Sequence, residues 1–114
     1  MKLTEFLLAR IGEDEARWQD FGHHDHNDYD PGPAPWPQLL AECEAKRNIV
    51  AHLVDAERGV ARAQRLLARE GNDSRDAQEQ EFAADAKLDA VKCIAKHVAA
   101  VYADHPDFDE EWRP

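Results

Sequence analysis

A chain of 114 residues with 43% apolar side chains suits a single domain with a packed core. Its formal net charge of -10 argues against non-specific attachment to nucleic acid or to an anionic membrane, both of which repel a net anion. No apolar run approaches the roughly 20 residues that a membrane-spanning helix needs, so neither partner is expected.

The opening MKLTEFLLARIGEDE has a short apolar run after Lys2, as a signal peptide has. It lacks a small-residue cleavage site, and Arg10 and an acidic cluster follow at once. It therefore reads as a helix of a cytoplasmic protein. Thr4 serves as N-cap, Glu5 sits where the helix dipole favours a carboxylate, and Leu3, Phe6, Leu7, Ile11 and Trp18 form an apolar side. This first helix is expected over 4–21, with Gly22 as its stop. Residues 22–36 read as a loop: after Gly22 the stretch 23–36 holds three prolines, a glycine and no period. Trp36 stands where it can staple back onto Leu39 or Leu40.

The stretch after Trp36 organises the chain. Pro37 suits a first helical turn, because the N–H it lacks would have no intrahelical partner there. Ile49, Leu53, Ala56, Val60, Ala63 and Leu67 then recur three or four apart, which predicts one long helix over 37–70. Gly59 weakens it locally or marks a close contact. The corner is GNDS, Gly71 to Ser74: glycine ends one helix, and Asp73 or Ser74 caps the next. A third helix is expected over 75–103, with Ala84, Leu88, Val91, Ala95, Val98 and Tyr102 as its main seam. Phe82, Ala86, Ala90, Cys93, His97 and Ala100 give it a second non-polar side, which implies two neighbours, one of them a second copy of the chain.

Pro106 disfavours further helix. In the tail, 104–114, Phe108 and Trp112 stand four apart amid Asp107, Asp109, Glu110 and Glu111. Bulky aromatics in an acidic tail imply docking onto the bundle. The expected fold is all-α. One shorter and two long helices form an antiparallel bundle with an ordered aromatic tail, in a single domain spanning 1–114. A hairpin of such length is thin for one chain, so a homodimer is expected.

Three stretches are similar to a known family. LTEFLLARIGEDEA, LLAECEAKRNIV and YADHPDFDEEWRP resemble blocks of small uncharacterised proteins from actinobacteria and their phages. That family carries a segment like VLAECEAKRRIV and an ending like YADHPDYREEWRP. Many members read LRLLALPYADHP before the ending, where this chain has AKHVAAVYADHP, so its third helix is expected to run further. The resemblance implies a compact helical unit of unknown role and transfers no catalytic residue or cofactor.

Candidate chemistry is sparse. His23, His24 and His26, interleaved with Asp25, Asp28 and Asp30, carry donors suited to zinc, nickel or copper, but the spacing matches no metal motif. Cys93 and His97 lie one turn apart, and the hairpin brings His52 and Asp55 to their level, a cluster with metal-binding or nucleophile–base potential. Cys43 and Cys93 should not pair. Along the hairpin their levels differ by about 12 Å at roughly 1.5 Å per residue, against a bridging limit of about 7 Å. Glu81, Asp85 and Asp89 form a carboxylate stripe, yet Glu42 and Glu44, two apart, cannot complete a magnesium site.

The negative charge sits mainly in 1–38 and 104–114. The expected role is a non-enzymatic protein–protein interaction or regulatory module with an unidentified protein partner, the tail residues Phe108, Trp112, Asp107, Asp109, Glu110 and Glu111 providing a surface. The alternatives are an acidic nucleic-acid mimic or antagonist of a DNA-binding host protein, and a metal-dependent hydrolase.

Overall fold

A computed structural model of the chain describes residues 1–23, 36–71 and 73–114. The described residues are all-helical, and three helices pack against one another. They are α1 (Leu3–His23), α2 (Trp36–Glu70) and α3 (Arg75–Ala100), followed by a short 3₁₀ turn at Glu110–Trp112. The molecule is elongated, 71 × 25 × 17 Å.

The corner between α2 and α3 follows from two residues. Gly71 takes φ +87°, a left-handed value that a side chain resists, and its N–H closes the last turn of α2 on Leu67 at 2.8 Å. Ser74 is the N-cap of α3: its side chain accepts from the Ala77 N–H at 3.3 Å and donates to Glu70 at 3.0 Å.

One core ties the chain together. Leu3, Phe6, Leu7 and Ile11 of α1 meet Cys43, Val50 and Leu53 of α2, Ala95 and Ala99 of α3, and Trp112 from the tail. Trp18, Ile49, Leu88, Val91, Val98, Tyr102 and Phe108 pack around it. Ala56, Ala63 and Ala77 are also buried. Glu15 of α1 stands against Arg47, and Leu3 stands near Leu53 and Glu57. Farther along, α2 and α3 meet through small side chains, which let two helices approach closely while burying little area.

Four boundaries differ from expectation. α1 opens at Leu3, so Thr4 lies inside its first turn instead of capping it. The α1 backbone continues through Gly22 to His23, because a glycine permits a helix end without imposing one. α2 already includes Trp36. α3 ends at Ala100, where the ladder tightens: Val101, Tyr102 and Ala103 donate to Val98, Ala99 and Ala100, three residues back rather than four. That tighter winding carries the chain toward Pro106. The expected staple of Trp36 lies outside the described residues, as does the fold of 24–35.

Candidate functional site

The aromatic tail arrives at the start of α1. Phe6 is fully buried, with ring centroids of Trp112 at 4.9 Å, His105 at 5.8 Å, Phe108 at 5.9 Å and Tyr102 at 6.4 Å. Phe108 and Trp112 meet edge to face at 5.7 Å. Trp112 is buried and Phe108 half-buried, so these two rings are spent largely inside the molecule. Asp107, Asp109, Glu110 and Glu111 stay exposed. Asp109 caps the 3₁₀ turn by accepting from the Glu111 N–H at 2.9 Å, and the Arg113 guanidinium holds the Glu110 carboxyl below its usual range.

About two turns farther along α1, at Asp14, a polar chain crosses the three helices. The Tyr102 hydroxyl donates to Asp14 Oδ2 at 2.7 Å and accepts from Lys46 Nζ at 3.1 Å. Burial first, and then the bond to Asp14, push the Tyr102 pKa well above its ordinary value. Cys43 lies buried nearby, and loss of solvent, followed by the charge of Asp14, pushes its thiol upward. Arg47 grips Glu15 with Nε at 2.8 and 2.9 Å from the two carboxylate oxygens, and its hydrogen bonding holds Glu15 below the ordinary carboxylate range. Arg10 is 8% exposed. Its Nη2 reaches Glu13 at 3.0 Å and its guanidinium lies over the Phe6 ring, while Nε and Nη1 are buried without an acceptor.

Chemically this is a clamp. The shifts move Tyr102 and Cys43 up and Glu15 down, all away from neutrality, which makes none of them a better proton-transfer group near pH 7.

The three stretches that carry the family resemblance meet in this hub: Phe6, Arg10 and Asp14 from the first, Cys43, Lys46 and Arg47 from the second, and Tyr102 to Trp112 from the third. The model of a family of unknown function, DUF6221, matches residues 1–114. The chain belongs to DUF6221. No curated protein matches it. No solved structure matches it.

In this DUF6221 chain the remaining candidates lie apart from the hub. His52, Cys93 and His97 are all exposed. Among the described residues, no three His, Cys, Asp or Glu side chains form a group that could hold a metal ion. His24, His26 and the side chain of His23 lie outside the described residues. Asp85 and Asp89 are exposed and Glu81 is half-buried.

Two recesses on the described surface bear on binding. One, of about 410 Å³, is floored by Leu3, Leu53, Leu88 and Trp112 and edged by Lys2, Lys92, Lys96, Glu57 and Glu111. The other, of about 840 Å³, is a groove between α2 and α3 lined by Gly59, Ala63, Leu66, Ala83 and Ala84 and edged by Arg62, Arg65 and Arg69. Sequence reading passed over this groove. Arg58, Arg62, Arg65 and Arg69 are spaced four, three and four, which puts them in one row on α2. All four are exposed, and none has an ion-pair partner among the described residues.

Proposed function

We propose that the chain is a non-enzymatic protein–protein interaction or regulatory module that receives an acidic segment of another protein. The observation that carries this reading is the arginine row beside the groove between α2 and α3. In a molecule of net charge -10, four cations on one helix face, without an ion-pair partner among the described residues, create a local field opposite in sign to the rest of the surface. The apolar floor of the groove accepts side chains from the same ligand. In this reading the helices form an antiparallel bundle in the cytoplasm, and the docked aromatic tail holds α1 in place so that the long helices present a rigid face.

The test compares the wild-type chain with an Arg62→Glu/Arg65→Glu variant as bait. An acidic binder retained by wild type, weakened by salt and lost on charge reversal fits the proposal. Binders retained equally by both baits would place recognition elsewhere.

A second reading has its own support. Asp107, Asp109, Glu110 and Glu111 remain exposed around the docked rings. They suit a nucleic-acid mimic that occupies the basic site of a DNA-binding protein. Salt-sensitive capture of a basic partner, lost when these four carboxylates are neutralised and kept in the arginine variant, separates it from the first.

A further inference from the structure

The recess of about 410 Å³ lies where α1 begins and the tail docks, so α1, α2, α3 and the tail each supply part of its wall. Its floor is Leu3, Leu53, Leu88 and Trp112. That size falls toward the small end of the roughly 300–1,000 Å³ typical of small-molecule pockets, and an apolar floor with a few polar groups is their usual construction.

The rim charges say what kind of molecule fits. Lys2, Lys92 and Lys96 stand at the edge with Glu57 and Glu111. Among the described residues none of these five side chains has an ion-pair partner. The ammonium groups outnumber the carboxylates by one, against the trend of a molecule with net charge -10. Lys92 and Lys96 lie one helical turn apart, on the same side of α3. Lys96 is half-buried, so its ammonium has lost part of its water without gaining an anion.

We propose that this recess binds a small amphiphilic carboxylate, its head group between Lys92 and Lys96 and its compact aliphatic body on Leu53, Leu88 and Trp112. One excess positive charge balances a carboxylate, whereas a phosphate monoester carries nearly two negative charges at neutral pH. Because Trp112 forms part of the floor, the ligand binds the docked tail and stabilises that state by mass action. The recess shares no residue with the groove beside the arginine row, so this proposal stands or falls apart from the reading of that groove.

Octanoate titrated into the full chain, followed by ¹H–¹⁵N correlation spectra, tests it. A saturable shift of the Trp112 indole N–H is expected, with that of Trp18, toward the other end of α1, unmoved. Cleavage of the tail by protease is expected to slow as octanoate saturates. Lys92→Gln/Lys96→Gln should weaken octanoate by roughly tenfold and leave the weaker binding of 1-octanol unchanged. Glu111→Gln should act in the opposite direction, because it removes a like charge from the rim. Lys92 and Glu111 are exposed and Lys96 is half-buried, so the circular dichroism spectra should match wild type. No saturable Trp112 shift up to about 10 mM octanoate overturns the proposal. Equal affinity of wild type and the lysine variant overturns the place given to the head group. Octanoate that moves the resonances of Phe82 and Ile94 instead of Trp112 puts the aliphatic body on the outer face of α3 and overturns the proposal too.

Discussion

Tyr102 donates its hydroxyl proton to Asp14 at 2.7 Å, joining the end of the third helix to the first. Lys46 donates to the Tyr102 hydroxyl oxygen at 3.1 Å, so one phenol satisfies groups from two other helices. Tyr102→Phe removes the oxygen and leaves a partly buried carboxylate and ammonium without their shared partner. The expected cost is about 1–3 kcal/mol of stability, measured by urea unfolding. The same phenol predicts an alkaline limit. Its folded pKa lies above the ordinary value of 10.0. Above that pH the unfolded state gives up the proton first, so this contribution to stability is full below it and declines as pH rises past it. Tyr102→Phe should flatten that alkaline decline in a series of melting curves.

Glu15 and Arg47 set the opposite limit. Hydrogen bonding to Arg47 holds the Glu15 pKa below its ordinary 4.5. The unfolded state therefore takes up the proton first as pH falls. The contribution is complete above 4.5 and is lost as pH drops through the folded value. Arg47 is 44% exposed, so solvent screening keeps the worth of the pair to about 0.2–1 kcal/mol. Glu15→Gln should lower stability slightly at neutral pH and remove that part of the acid-limb slope, read as the urea midpoint between pH 3 and 6.

How far the sequence carried depends on the range of each signal. The three helices and the Gly71 corner were legible because helical period and capping chemistry are local, and Leu3, Phe6, Leu7 and Ile11 are buried on the predicted side. The Tyr102 chain joins residues 56 and 88 positions apart, for which no local pattern exists. Arg10 reads as a surface residue, and its burial becomes intelligible only once the tail rings have gathered on Phe6 beside it. The tail's aromatic spacing signalled docking. The burial of Trp112 then left Asp107, Asp109, Glu110 and Glu111 to face solvent. The arginine row was visible as punctuation of α2, but its place beside a groove between α2 and α3 is a three-dimensional fact.

The rings of Phe6 and Trp112 anchor the tail, with centroids 4.9 Å apart. Phe6 sits at the centre of the core, so Phe6→Ala should cost about 3–5 kcal/mol. Trp112 lies in the short 3₁₀ turn beyond α3, a segment that can detach without unfolding the helices, so Trp112→Ala should cost less and free the tail for proteolysis. A double-mutant cycle should return a coupling of about 0.5–1.5 kcal/mol between the rings. A coupling indistinguishable from zero would mean that the tail does not dock on Phe6 in solution.

Gly59 and Gly71 should respond to alanine with opposite signs. A methyl group built at either position meets nothing within 4 Å, so steric clash is absent from both. Gly59 lies inside α2 with ordinary helical backbone, where glycine costs entropy on folding. Gly59→Ala should therefore raise stability by about 0.4–1 kcal/mol. Gly71 holds φ +87°, where a Cβ is strained by its own backbone. Gly71→Ala should lower stability by about 1 kcal/mol, and Gly71→Asn by less, since asparagine tolerates the left-handed region better than alanine. Thermal melts of the three variants check this directly. A stabilising Gly71→Ala would show that the chain does not turn through a left-handed residue at that corner.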